Sequence, residues 1–450
     1  MTADKKKVFR SPESENHFLF SKTDTGRIKE IKGKESVDAV DAVDAVRSVF
    51  PEIRHGYDFI EHADRQLANA DKFSAMVIRP DQESSPKKPP EPSEAETAVA
   101  DIAGILNGQC QQKNGLWGSL KAGTLGSFFP GINKNEGLEL AGNIQQQVAA
   151  NTSVTVSIGL AVFPTLTYSK PEIINNAGKA LDHAAFFGSN SLVAFDDVSL
   201  NISGDKLYEK GKIKEAVKEF KLALKLDANN ANVRNSLGVC YGLQRQYDAA
   251  IGEFKKAVAI EPEEYMALYN LGLVHLLMEQ QERALEYFLD ADKINGKNYE
   301  VAFQTGKLYL DRGNHDKSRP YLQRAAKLAP ESGQTYRYLG DCCAAAHDPE
   351  AAVSAYKKAL KHNPHDAAAL SALGSIFDDQ GENPEITLMF LRESIALSPT
   401  NALYHHRLGR HFSNQDRLDD ALKEFVKAKS LGYDAAEDIK TIKNRKKVEK

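Results

Sequence analysis

The sequence has few cysteines and no long apolar run. Only four cysteines occur among 450 residues, and none is spaced as a CxxC pair. This pattern argues against a zinc site or a disulfide framework and fits a reducing, cytoplasmic setting. No run of about 18 apolar residues occurs, so we expect no membrane-spanning helix. The basic first ten residues are not followed by an apolar segment, so we expect no secretory signal peptide.

A strong excess of one charge sign is also absent. The chain has 58 Lys and Arg against 62 Asp and Glu, a formal net charge of −4. Without a basic excess, the composition does not indicate a nucleic-acid-binding protein. The length exceeds what one compact core usually holds, so two or three domains are expected.

The first segment, residues 1–46, is polar and carries two weak patterns. Residues 17–31 alternate around a Gly26 turn, which favours a small hairpin. Valines recur every third residue over 36–49, which favours a loosely amphipathic helix. That helix is a short packed helix, a linker or a dimer seam.

Residues 47–197 switch to a mixed pattern of helices and strands. Residues 81–97 are rich in proline, serine and charge, which predicts a flexible loop. The order αβαββαβαβ predicts an α/β or α+β sheet domain. The predicted elements are a helix over 52–70, a strand over 73–78, a helix over 98–106, a strand–turn–strand over 115–130, a helix over 136–149, a strand over 154–163, a helix over 171–186 and a strand over 191–195.

The second half of this domain resembles a known family. Residues 154–195, VTVSIGLAVFPTLTYSKPEIINNAGKALDHAAFFGSNSLVAF, are similar to the C-terminal half of GGDEF domains, and residues 50–78 are weakly similar to their opening helix and first strand. GGDEF domains have the nucleotidyl-cyclase fold and make cyclic di-GMP. The resemblance implies a nucleotidyl-cyclase-like α/β fold over 47–197.

The groups that GGDEF chemistry needs are missing from this chain. Arg79 stands where the family has its first metal-binding carboxylate, and Asp81 alone falls at the next one. The signature hairpin reads Lys121-Ala122-Gly123-Thr124-Leu125, without either acid. Ala185, Ser189 and Ser191 replace the basic phosphate-binding residues, while 81–97 and 112–115 lack the guanine-reading and inhibitory motifs.

The resemblance therefore implies an inactive domain with no catalytic residue, cofactor or metal. Such a domain is retained for docking or dimerisation. The alternative is a receptor that binds GTP or cyclic di-GMP without turnover. Trp117, the only tryptophan, is either a core residue or part of an exposed docking patch.

The second half of the chain has a fixed period. Seven glycines recur at intervals of 34 residues, with one interval of 35, and this period is the signature of stacked helical hairpins. The glycines are Gly204, Gly238, Gly272, Gly306, Gly340, Gly374 and Gly409.

Residues around each glycine follow a second pattern. In the second repeat Leu237, Tyr241, Ala250, Phe254, Ala257 and Pro262 stand at fixed offsets from Gly238. This resembles the tetratricopeptide repeat (TPR), which implies an all-α solenoid of seven repeats over 198–433. One residue is added near Asn383, and residues 434–450 are predicted to form a capping helix. Because the first repeat directly follows the last predicted strand, we expect the two modules to be joined rigidly.

The TPR resemblance implies a concave groove lined by the first helix of each repeat. Repeats three and four would supply an apolar floor beside two cations, suited to a peptide with an apolar anchor and an acidic flank. The alternative is that Tyr269 and Phe303 only pack between hairpins. The predicted groove residues are Asn235, Met266, Tyr269, Leu273, Phe303, Lys307, Arg337 and Asp341.

Together these patterns predict a multidomain chain, a nucleotidyl-cyclase-like domain followed by an all-α TPR solenoid. The expected function is a bacterial, cytoplasmic, non-enzymatic scaffold that binds a protein or peptide in the groove, with a homodimer as a further alternative and no nucleic-acid partner. Five basic residues of the capping helix form either a patch for an acidic partner or a solvated surface. They are Lys440, Lys443, Arg445, Lys446 and Lys447.

Overall fold

The structure is a computed structural model that describes residues 46–81, 92–121 and 123–448. The hairpin predicted for 17–31, most of the valine-rich helix and the middle of the predicted loop lie outside these residues. Two compact units make up the chain, Met1–Val274 (unit 1) and His275–Lys450 (unit 2).

A sheet domain with helices on both faces opens unit 1. Its element order is the predicted one. The elements are α1 (Gly56–Gln66), β1 (Phe73–Pro80), α2 (Pro92–Lys113), β2 (Leu116–Lys121), β3 (Thr124–Pro130), α3 (Lys134–Asn151), β4 (Val156–Phe163), a 3₁₀ turn (Lys170–Glu172), α4 (Ile173–Ala184) and β5 (Leu192–Ala194).

The sheet has the strand order β2-β3-β1-β4-β5. β1 is central and antiparallel to both β3 and β4, while β5 is parallel to β4. Because successive strand residues point to opposite faces, Phe73, Ala75 and Val77 pack in one core with α1 and α4. Met76 and Ile78 pack on the other face, in the core that α2 and α3 cover.

Several predicted boundaries in this domain are wrong. Residues 92–97, placed in the flexible loop, are the first turns of α2, which begins at Pro92 and not at 98. Proline is accepted at the start of a helix because its missing N–H would have no partner there. α1 spans Gly56–Gln66 rather than 52–70, and α2 ends at Lys113 rather than at 106.

Helical hairpins follow from residue 197 onward, as the period predicts. Each repeat has a first and a second helix. These are α5 (Asp197–Glu209), α6 (Ile213–Leu226), α7 (Ala231–Leu243), α8 (Tyr247–Ile260), α9 (Tyr265–Leu277), α10 (Gln281–Ile294), α11 (Tyr299–Asp311), α12 (His315–Leu328), α13 (Gly333–Ala345), α14 (Pro349–His362), α15 (Ala367–Gln380), α16 (Pro384–Leu397), α17 (Ala402–Asn414) and α18 (Leu418–Ser430), followed by α19 (Ala436–Val448).

The periodic glycines, which we call the ladder glycines, lie where the two helices of a hairpin approach closely. A Cβ added at Gly204 would lie 2.4 Å from the Phe220 ring, and one at Gly340 would lie 2.6 Å from the Tyr356 ring. No side chain fits in that space. The pattern of glycine in the first helix and a large side chain in the second therefore reflects direct packing.

A second ladder runs through the hairpin turns. One residue at each turn has φ between 56° and 72°, although only three of the seven are glycine. The second helix begins two residues later, except after Gly381, where it begins at Pro384. The extra residue of the sixth repeat therefore lies in this turn, as predicted. The turn residues are Gly211, Arg245, Glu279, Gly313, His347, Gly381 and Asp416.

In unit 1 the sheet domain and the first two repeats share one hydrophobic core. It runs from Phe73 and Leu181 through Leu200 to Phe220 and Leu237. A partly buried ion pair joins Lys179 of α4 to Glu219 of α6 at 2.7 Å. The sheet domain and the first repeats are therefore joined through a continuous core.

Within unit 2 the first helices of successive repeats contact one another. α11 touches α13, α13 touches α15, and α15 touches α17, whereas successive second helices make no contact of similar extent in the described chain. The stack in unit 2 therefore curves with its first helices on the inner side. None of the described helices is both long enough and apolar enough to cross a bilayer.

Candidate peptide-binding surface

The eight predicted groove residues divide equally between the two units. Asn235, Met266, Tyr269 and Leu273 lie in unit 1, where all four are buried and Tyr269 is fully so. The Asn270 amide donates to Asn235 Oδ1 at 2.8 Å. This burial favours the alternative in which Tyr269 packs between helices.

In unit 2 the predicted residues gather around Tyr338, which the sequence analysis did not single out. Phe303 meets the Tyr338 ring edge-on, with 5.4 Å between centroids. Lys307 Nζ lies 5.4 Å from the centroid of that ring, and the Arg337 guanidinium lies 4.1 Å from it. Phe303 is buried while Tyr338 is half-buried, so Tyr338 is the more accessible of these two aromatic residues.

Arg337 is held by two carboxylates of the same unit. Its Nη1 lies 3.2 Å from Asp341 Oδ2, and its Nε lies 3.3 Å from Asp366 Oδ2. Asp366 also caps α15 by accepting from the backbone N–H groups of Ala368 and Ala369. Arg337 is therefore already paired and does not offer an open charge for an acidic flank.

Asp341 is the centre of a polar network between the repeats. The Tyr356 hydroxyl donates to Asp341 Oδ1 at 2.7 Å. Burial raises the pKa of Asp341 above its usual range, although Arg337 and the Tyr356 hydrogen bond act in the opposite direction. Burial likewise raises the pKa of Asp311, with Lys307 opposing the shift and Asp341 adding to it.

Arg407 of α17 differs from Arg337 and Arg410 because it forms no ion pair within the part of the chain that the structure describes. Its Nη1 donates to the Ser371 hydroxyl at 2.9 Å, and no carboxylate of the described residues lies within ion-pair distance. Burial lowers the pKa of Arg407, and the nearby Arg410 lowers it further, while Tyr356, Tyr404 and Asp341 oppose the shift. Arg410 itself pairs with Asp379 at 3.0 Å. An anion arriving at Arg407 would therefore not have to displace an ion pair.

Some of these residues carried a signal in the sequence. Tyr356 occupies the repeat position that holds phenylalanine in most other repeats, so its hydroxyl needs a partner in the core. Ser371 stands at a position that the family pattern assigns to the groove. Arg407 and Asp366 had no such signal, because their pairing depends on contacts between helices of different repeats.

In the sheet domain, Asp81 has a structural role. Its carboxylate accepts from Thr155 Oγ1 at 2.7 Å, from Ser157 Oγ at 2.6 Å and from the Asn190 backbone N–H at 2.6 Å. It thereby fixes the start of β4 to the segment before β5. No three His, Cys, Asp or Glu side chains of the described residues form a group that could hold a metal ion.

Trp117 packs within the sheet domain. Its indole N–H donates to Asn107 Oδ1 at 3.0 Å, and its ring meets Phe50 edge-on at 5.0 Å. The side chain is half-buried and its one polar group is satisfied. These contacts favour the core alternative for Trp117 over an exposed patch.

Family models match the repeat region. A model described as TPR repeat matches residues 204–245, and two models described as tetratricopeptide repeat match residues 302–364 and residues 241–299 with 344–385. The chain therefore contains tetratricopeptide repeats. All matched residues lie within 204–385, so the sheet domain is outside them.

Several solved structures are similar to parts of the chain. YrrB, described as a TPR protein with an unusual peptide-binding site, is 25% identical over 39% of this chain and 91% of its own, with a TM-score of 0.35. MamA is 26% identical over 36% of this chain and 96% of its own, with a TM-score of 0.34. PilF of Pseudomonas aeruginosa is 16% identical over 46% and 94%, with a TM-score of 0.43. No curated protein matches the chain.

Proposed function

We propose that this chain is a non-enzymatic, cytoplasmic scaffold of a bacterium that holds a protein or peptide partner on the first-helix face of unit 2. The observation that carries the proposal is Arg407, a half-buried guanidinium whose only hydrogen bond within the described residues is to the Ser371 hydroxyl. Asp341 attracts Arg407 but does not form an ion pair with it, and withdrawing a charge from water without a direct partner is costly. A partner carboxylate would supply the missing ion-pair partner.

The chemistry of the face defines the partner. A carboxylate of the partner would accept charge-assisted hydrogen bonds from Arg407, which are stronger than bonds between neutral groups. An aromatic or aliphatic side chain would pack against Tyr338, beside Phe303. The partner is therefore a segment with an apolar anchor and an acidic residue, and the acidic residue is assigned to Arg407 rather than to Arg337.

The sheet domain is proposed to be a catalytically inactive relative of the GGDEF domains that serves for docking or dimerisation. Two residues support this part of the proposal: Arg79 occupies the position of a metal-binding acid, and Asp81 is fully engaged in hydrogen bonds. Calorimetry with GTP and with cyclic di-GMP separates it from the receptor alternative. Heat of binding with either nucleotide, without product, would favour the receptor.

A crosslinking pull-down from the native organism tests the scaffold function. The full chain is compared with Arg407→Glu and with Arg392→Glu, a matched charge reversal at an exposed arginine of α16. We expect Arg407→Glu to lose the captured partner and Arg392→Glu to keep it. Equal capture by all three proteins would show that the face of Arg407 does not bind the partner.

A further inference from the structure

α19 takes the place of the first helix of an eighth hairpin. Its Ile442 is buried with Phe425 of α18 in one hydrophobic core. Residue 443 stands 34 positions after Gly409, where the next ladder glycine would fall, and it is a lysine. The chain therefore has a first helix at this end with a large side chain at the contact position.

The lysine keeps the neighbouring position open. In the full hairpins, the glycine lets the second helix approach so closely that an added Cβ at Gly409 would lie 2.8 Å from Phe425. A lysine at that position excludes a second helix packed in the same way. What remains between α18 and α19 is a groove of about 520 Å³, which we call the terminal groove.

The terminal groove has an apolar floor and a basic rim. Leu422, Ala436 and Ile439 supply the apolar groups. The polar residues that line it are Lys440, Lys443, Asn444, Lys446 and Lys447. Because residues three, four and seven apart lie on one face of a helix, Ala436, Lys440, Lys443 and Lys447 form a single stripe along α19.

Ion pairs divide the basic residues of α19 into two sets. Arg445 pairs with Asp416 and Lys446 with Asp419, so these two fasten α19 to the preceding repeat. Lys440 has only an exposed pair with Glu437 on its own helix, at 3.4 Å, and such pairs contribute little. Lys443 and Lys447 have no carboxylate within ion-pair distance among the residues that the structure describes.

We propose that the terminal groove binds an acidic amphipathic helix of a protein partner. The helix would lie along the terminal groove, farther from α19 than a second helix lies from its first helix in a full hairpin, with aliphatic side chains on the floor and carboxylates toward Lys443 and Lys447. The lining of α19 runs from residue 436 to 447, which corresponds to about 16 Å of helix, or three turns. This site is separate from the face of Arg407 and does not depend on the function proposed for it.

A synthetic peptide provides the direct test. The probe is a fluorescently labelled helical peptide of five turns with leucines on one side and glutamates flanking them, and its control has glutamine at every glutamate. Anisotropy is measured with the full chain at low and high salt. At low salt we expect the glutamate peptide to bind at least 10-fold more tightly than the glutamine peptide, because the rim is charged. Its affinity should fall as the salt concentration rises.

Variants of exposed residues separate the site from general charge effects. Lys443→Glu with Lys447→Glu should weaken binding at least 10-fold. The matched control reverses two exposed lysines outside the groove, Lys327→Glu with Lys361→Glu, and should bind like the unmodified chain. Ala436→Phe, at an exposed position of the floor, should block the peptide without changing charge.

Several results would overturn the proposal. They are equal binding of the glutamate and glutamine peptides, equal losses in the two double variants, or full binding to Ala436→Phe. Binding of duplex RNA or of vesicles with anionic lipid in preference to the peptide would also do so, because the rim would then serve another class of partner. Unchanged thermal unfolding of each variant is the control for folding.

Discussion

The Tyr356 hydroxyl donates a hydrogen bond of 2.7 Å to Asp341 Oδ1, and the Tyr356 ring fills the space beside Gly340. One side chain thus completes the packing of the fifth hairpin and anchors the polar network of the inner face. The ring and the hydroxyl can be tested separately.

Tyr356→Phe keeps the ring and removes the hydroxyl. We expect it to lower the free energy of unfolding by about 1 kcal/mol, because Asp341 loses a donor in a crowded site. Urea unfolding followed by circular dichroism measures the change. Tyr336→Phe is the control, since no hydrogen bond of its hydroxyl is seen in the described structure; an equal loss in both variants would contradict the role of the bond.

The raised pKa of Asp341 makes stability depend on pH. The folded state holds the Asp341 proton more tightly than the unfolded state, so stability falls as pH rises from the unfolded pKa of about 4 through the raised folded pKa. Asp341→Asn removes this titration and still accepts from Tyr356. We therefore expect the unmodified chain to lose stability relative to Asp341→Asn as pH rises above about 4. A difference that grows in favour of the unmodified chain over this range would refute the assignment.

The turn ladder predicts a stabilising substitution. His347 has φ of 58°, a conformation that glycine adopts without steric cost. His347→Gly should raise the free energy of unfolding by about 0.5–1 kcal/mol. The neighbouring Ala346 has φ of −84°, so Ala346→Gly should lower it by about 0.5 kcal/mol. If the free energy of unfolding changed with the same sign in both variants, the positive φ of His347 would not be a source of backbone strain.

Two glycines of the second repeat should respond in opposite ways to alanine. A Cβ at Gly238 would lie 2.6 Å from the Phe254 ring, whereas one at Gly252 meets nothing within 4 Å. We expect Gly238→Ala to destabilise by about 1–3 kcal/mol through overpacking. Gly252→Ala should stabilise by about 0.5–1 kcal/mol through helix propensity. Thermal unfolding of both variants decides whether the ladder reflects packing.

The repeats could be read from the sequence because each one uses the same local rule. Glycine, alanine and aromatic positions recur with the period of the hairpin, and the element order of the sheet domain follows from alternation and turn residues. The start of α2 at Pro92 was missed because proline is read first as a helix breaker, although it is accepted in the first turn.

The inner face was harder to predict because repeat positions do not specify pairing between repeats. The pattern assigned Arg337 to the groove, but its charge is taken up by Asp341 and by Asp366, which belongs to the cap of the next first helix. Arg407 fell outside the family's groove positions, yet it forms no ion pair among the described residues, unlike Arg337 and Arg410. Such differences depend on which side chains meet across helices.

The affinity of the captured partner for Arg407→Gln tests the scaffold function most directly. The segment of the partner recovered by crosslinking is made as a peptide and titrated calorimetrically into the full chain, Arg407→Gln and the control Arg392→Gln. We expect Arg407→Gln to weaken binding about 10-fold or more while folding about as stably as the unmodified chain, since Arg407 is half-buried and forms no ion pair with the described residues. Replacing the acidic residue of the peptide by glutamine should cost the same affinity and should have no further effect on Arg407→Gln. Unchanged affinity for Arg407→Gln, or an equal loss in Arg392→Gln, would contradict the assignment.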